Sequence, residues 1–118
     1  MTKEPRNLSE WIKELKKASR EAVILVEGKN DKKALSKFSI KNVIDLSGKR
    51  YADVVDMLEG KWEKVILLFD LDTHGERINQ KMKELLSSQG FLVDENFRNF
   101  LKKWNIIHIE EINGGKNS

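Results

Sequence analysis

VILLFDLDTHGERI, residues 65–78, passes from an unbroken apolar run into acids, a histidine and a glycine. Val65–Phe69 is short, continuous and aliphatic, which is the composition of a strand buried on both faces. Such strands belong to parallel sheets, whose crossovers place helices on those faces. The next helix is legible as well. Ile78, Met82, Leu85 and Leu86 share one face over 76–88, and Gly90 stops it. Asp70-Leu71-Asp72 therefore stands at the carboxyl end of a central strand.

The same alternation extends outward. Ala22–Val26 (AVILV) is a second buried strand, Asn42–Leu46 a weaker one, and Phe91–Val93 a short edge strand. Ile106–Ile109 reads as a last strand. Leu8, Trp11, Ile12, Leu15 and Ala18 recur at helical spacing and predict a helix over 8–20, opened by a capping box of Asn7 and Glu10. Further helices are expected at 30–38, at 51–58, and around Phe97, Phe100, Leu101 and Trp104. Strands alternating with helices imply an α/β fold. The expectation is a Rossmann-like three-layer sandwich with a central, mostly parallel, four-stranded sheet. Residues 1–20 form an N-terminal helix with a flexible start at Met1–Arg6, 21–112 the domain, and 113–118 a disordered tail.

Composition narrows the function. At 118 residues the expectation is one domain, too small to carry accessory binding domains of its own. The absence of Cys excludes disulfides, thiolate zinc sites and a Cys nucleophile. Apolar runs stop at five residues where a membrane span needs roughly 20, and the start lacks the apolar stretch of a secretory signal. The expectation is a cytoplasmic protein without a membrane partner. Residues 1–50 hold 13 basic against 7 acidic side chains, whereas 51–118 hold 9 against 12. A basic half is compatible with phosphate-rich partners, and equally with solvated lysines on helix faces. The 35% charged content also suits a thermophile.

In parallel sheets, ligands bind beyond the carboxyl ends of the strands. After the first strand comes Glu27-Gly28-Lys29-Asn30-Asp31, and after the third Asp70-Leu71-Asp72-Thr73-His74-Gly75-Glu76-Arg77. If the chain stays extended, Asp70 and Asp72 point the same way and can share one hard cation. Mg²⁺ needs only one or two protein carboxylates beside substrate phosphate, and Mn²⁺ can substitute. Glu27 either completes the cluster or acts as a general acid or base. Lys29 and Arg77 flank it as phosphate-facing cations. The bland alternative is that Asp72 or Thr73 caps the following helix and Glu27 is a surface residue.

An apolar strand ending in Glu-Gly, then one ending in Asp-x-Asp with a Gly three residues on, resembles the Toprim domain of topoisomerases, bacterial-type primases, recombination-associated proteins and some nucleases. The pieces are AVILVEGKND (22–31) and VILLFDLDTHGERI (65–78), and the resemblance covers most of 21–112. It is most similar to the ribonuclease that matures 5S ribosomal RNA and to small stand-alone Toprim proteins. The resemblance implies that Asp70 and Asp72 bind Mg²⁺ and that Glu27 is the acid/base residue, touching metal as well. It implies close backbone approach at Gly28 and Gly75, and phosphate contacts at Lys29 and Arg77. Asp31 matches a recurrent acid of the first motif. The chain departs at His74, where some relatives carry a third acid, which points to a single metal or to phosphate-completed coordination. The maturation nuclease grips RNA with a further C-terminal region, and the expectation is that this chain carries no counterpart after about residue 112.

Other residues carry weaker signals. Ser47-Gly48-Lys49-Arg50 follows the second strand, and its backbone and cations can receive a nucleic-acid backbone. His74 reads as an exposed loop residue and His108 as structural within the last strand. Glu110 and Glu111 read as a solvated strand end. Trp11 and Trp104 fit a core, Trp62 is unexplained, and Tyr51 reads as packed. The functions in play are Mg²⁺-dependent phosphodiester chemistry on RNA or DNA, foremost nuclease action, and a non-catalytic binding module that relies on a protein partner. A phosphatase using Asp-x-Asp is the third class, but it wants that motif on the first strand.

Overall fold

Val23–Val26 (β1), Val43–Asp45 (β2), Lys64–Leu67 (β3) and Leu92–Asp94 (β4) form one all-parallel sheet in the order β2-β1-β3-β4. This arrangement comes from a computed structural model, which describes residues 4–112. Of the flexible start expected at Met1–Arg6, residues 1–3 fall outside them, as does the tail expected to be disordered at 113–118. The helices are Leu8–Ala18 (α1), Lys29–Ser36 (α2), Tyr51–Leu58 (α3), Thr73–Ser88 (α4) and Asn96–Lys103 (α5), followed by a 3-10 turn at Ile109–Glu111.

The central strands sort their side chains by strict alternation. Ile24, Val26, Ile66 and Leu68 face a core shared with Trp11 and Leu15 of α1, Leu35 of α2 and Leu101 of α5. Val23, Leu25, Val65, Leu67 and Phe69 face the opposite core, with Val54, Val55 and Leu58 of α3 and Ile78, Met82 and Leu86 of α4. The result is the expected three-layer sandwich. Crossover direction explains which helix lies where. The step from β1 to β2 runs one way, and the steps β2 to β3 and β3 to β4 run the other. Right-handed crossovers then put α2 on one face and α3 and α4 on the opposite one.

α1 is part of that packing. Trp11 is fully buried, and its indole N–H donates to the Phe97 carbonyl oxygen at 2.9 Å, so its one polar atom is satisfied. Asn7 caps α1 by accepting from the Glu10 N–H at 2.9 Å. Glu10 accepts from the Arg6 N–H, so only half of the expected box forms. Trp104 is half-buried against the first core and Trp62 against the second. Gly90, with φ of 90°, supplies the left-handed residue just beyond α4.

The expected strand at Ile106–Ile109 does not form. Both flanks of β1 and of β3 already hold neighbours, so the segment finds no central place in the sheet. Its backbone groups have other partners: the Ile106 N–H donates to Leu101, and the Ile107 carbonyl accepts from the Leu71 N–H. The burial period is three, not two. Ile106, Ile109 and Ile112 pack on the first core while Ile107 is exposed, the repeat of a 3-10-like turn.

Candidate metal centre at the sheet edge

The order β2-β1-β3-β4 reverses direction between β1 and β3, and a crevice forms where such a reversal occurs. Glu27 leaves β1 there and Asp70 follows β3, so two residues 43 positions apart become neighbours at one edge.

Asp70 is fixed through both its backbone and its side chain. Arg98 of α5, 4% exposed, donates from Nε to the Phe69 carbonyl oxygen at 2.9 Å and from Nη2 to that of Asp70 at 2.8 Å. The same guanidinium pairs with Glu76 in the first turn of α4. Gly75 packs so tightly against the Asp70 carbonyl that an added Cβ would overlap it. The Asp70 carboxylate accepts from the Ile109 N–H through Oδ1 at 2.8 Å, leaving Oδ2 3.4 Å from His108 Nδ1.

Asp72 does two things at once. Its Oδ1 accepts from the Gly75 N–H at 2.7 Å and caps α4, as the bland reading of the sequence expected. Its Oδ2 points the other way, 3.8 Å from His108 Nδ1. One ligand atom from each of Asp70, Asp72 and His108 lies within 4.8 Å of the others. Hydrogen bonding to Asp70, reinforced by the charges of Asp70, Asp72 and Glu111, shifts the His108 imidazole pKa upward from its ordinary value.

Glu27 is not in that group. It pairs with Nε2 of His74, 2.8 Å away in the first turn of α4. Asp31 caps α2 by accepting from the Gly28 N–H at 3.1 Å and is buried. Burial pushes its carboxyl up to about 6 against that hydrogen bond, and the charges of Asp70, Glu110 and Glu27 add to the shift. Gly28, unlike Gly75, is uncrowded: the nearest atom to an added Cβ would be Asp31 Oδ2 at 4.0 Å. Lys29, the first residue of α2, and Arg77, the fifth of α4, are exposed. Lys49 turns its ammonium toward the Asp45 carbonyl oxygen at 3.4 Å, and Arg50 pairs with Asp53 at 3.1 Å.

Two residues escaped the sequence reading. His108 was expected to be structural within a strand and instead faces both aspartates. Arg98 sits between Phe97 and the Phe100–Leu101 pair and reads as a polar-face residue, yet it shares the buried face of Leu101, three positions on. That spacing was the available signal.

The donor set suits a divalent cation. Two carboxylates face one point, each with one oxygen held by a backbone N–H and the other directed inward. Oxygen donors of this kind are what Mg²⁺ and Mn²⁺ take.

Over residues 22–104 the chain matches the Toprim domain. It is also similar to UPF0292 proteins. That of Pyrococcus abyssi is 32% identical over 96 residues, 78% of this chain and 72% of that protein. That of Thermoplasma volcanium is 32% identical over 82 residues, 68% of this chain and 69% of that protein. That of Methanocaldococcus jannaschii is 30% identical over 93 residues, 77% of this chain and 73% of that protein. Among the described residues, no helix is long and apolar enough to cross a membrane.

Proposed function

The chain belongs to the Toprim domain family, and from that premise we propose that it performs divalent-metal-dependent phosphodiester chemistry on nucleic acid, as a small nuclease of ribonuclease-like type. The observation that carries this reading is the pair of inward carboxylates of Asp70 and Asp72 at the point where the sheet reverses direction. A metal bound there supplies charge neutralisation for a phosphate and lowers the pKa of bound water.

The chain's own residues take the remaining roles. Glu27 follows β1 at the same sheet edge with its carboxylate paired to His74, and takes the role of accepting or giving a proton at the reacting phosphate. Lys29 opens α2 and Arg77 lies just past the first turn of α4, and both meet phosphate oxygens, adding charge near the helix N-termini. Arg98 and Gly75 keep Asp70 in place from behind.

A partner-dependent binding module is the second reading, and one observation favours it. Arg50 already pairs with Asp53, and the Lys49 ammonium approaches the Asp45 carbonyl. The basic grip beside the site is therefore sparse, and a partner would supply the rest.

Incubation of the purified chain with structured RNA, single-stranded DNA and duplex DNA, with Mg²⁺ or Mn²⁺, separates the two. Metal-dependent cleavage lost in both Glu27→Gln and Asp70→Asn supports the nuclease. Cleavage that persists in both variants contradicts the site. Binding without cleavage by the folded chain favours the module.

A further inference from the structure

We propose that His108 is a third ligand to the ion held by Asp70 and Asp72, and that its imidazole biases the site toward Mn²⁺ over Mg²⁺. This rests on reading the two carboxylates as a metal site. His108 lies beyond the residues 22–104 that match the Toprim domain, so the added ligand comes from the chain's own C-terminal segment.

Distance is the first support. His108 Nδ1 lies 3.4 Å from Asp70 Oδ2 and 3.8 Å from Asp72 Oδ2. Ligands roughly 2.1 Å from one ion stand roughly 3.0 Å apart at right angles and roughly 4.2 Å apart when opposed. Both separations fall inside that interval, and the three ligand atoms lie within 4.8 Å of one another, so a small inward adjustment lets one ion reach all three once the imidazole gives up its proton.

Fixation is the second. On one side of His108, the Ile107 carbonyl accepts from the Leu71 N–H at 2.7 Å. On the other, the Ile109 N–H donates to Asp70 Oδ1 at 2.8 Å. Ile109 and Ile112 are buried in the first core, and the His108 N–H donates to Glu111 at 2.8 Å. The segment is thus tied to the same loop that carries the aspartates, and the ring is held over them. The other histidine near the edge, His74, is turned to Glu27.

Ligand chemistry gives the consequence. Mg²⁺ is a hard ion that takes oxygen and retains its waters, whereas first-row transition ions accept imidazole nitrogen. Replacing one oxygen ligand by nitrogen lowers the advantage of Mg²⁺ and raises that of Mn²⁺.

The test uses the full chain loaded with Mn²⁺ alone and electron spin echo envelope modulation. The expected result is a directly coordinated ¹⁴N signal in the wild type and in His74→Gln, absent in His108→Gln. In parallel, calorimetry should show Mn²⁺ affinity falling by about tenfold or more in His108→Gln with Mg²⁺ affinity changing little, since even outer partners of a ligand are worth that much. Tight Mn²⁺ binding without nitrogen coupling, still abolished by Asp70→Asn, overturns the role of His108 and leaves the carboxylate site standing. A nitrogen signal lost in His74→Gln assigns the ligand to the wrong histidine. Failure of the folded wild type to bind either ion overturns both readings.

Discussion

The guanidinium of Arg98 on α5 donates to the carbonyl oxygen of Asp70 at 2.8 Å and to that of Phe69 at 2.9 Å. A fork with several donors can serve two adjacent carbonyls where a single ammonium cannot hold the same geometry. A buried cation thereby ties α5 to the exact end of the strand that delivers the acids.

Arg98→Met leaves those two carbonyls without their donor. Each unsatisfied buried group costs about 1–3 kcal/mol, so the expected loss is about 3 kcal/mol in urea unfolding. Arg98→Lys should recover only part of it. Full stability in Arg98→Met would show that the clamp contributes nothing.

The two glycines of the site should behave differently. Gly75→Ala forces its Cβ into the Asp70 carbonyl, so either the start of α4 or Asp70 must move. We expect Gly75→Ala to lose about 2 kcal/mol or more, with weaker metal binding. Gly28→Ala has open space and an extended φ of −134°, and should fold with stability within about 0.5 kcal/mol of the wild type. Parallel denaturation curves of the two variants settle the contrast. Equal behaviour would contradict it.

Asp31 gives a pH signature. Its folded-state pKa is raised from 3.8 to about 6, foremost by burial. The folded state therefore holds this proton more tightly than the unfolded one. The stabilisation is complete below pH 3.8 and is lost as pH rises through about 6. Asn keeps an oxygen for the Gly28 N–H and carries no charge. Asp31→Asn should therefore gain on the wild type between pH 4 and pH 8, by up to about 3 kcal/mol. Urea unfolding at both pH values checks this, and a difference independent of pH would contradict it.

Particular residues explain what the sequence could and could not disclose. Val65–Phe69 and Ala22–Val26 are buried on both faces, so their apolar runs announce a parallel sheet without tertiary information. Asp70, Asp72 and Glu27 inherit their placement from those strands. His108 could not be found this way. Its Ile-rich surroundings fit an alternating strand as well as a three-residue burial period, and only the lack of a vacant flank beside β1 and β3 separates the two. Arg98 was hidden because a buried arginine depends on free carbonyls contributed by a strand end 28 residues away in sequence.

Titration of Mg²⁺ into the wild type, Asp70→Asn and Asp72→Asn, with circular dichroism to verify folding, is the most direct test of the metal centre. Asn at 72 keeps the helix cap and Asn at 70 keeps the acceptor for Ile109; each relieves repulsion between the two carboxylates and each removes a charge that faces His108, so the effects on stability offset. The expected result is binding by the wild type and none by either variant, with thermal midpoints close to that of the wild type. Unaltered Mg²⁺ affinity in both folded variants would contradict the assignment of Asp70 and Asp72 as the metal centre.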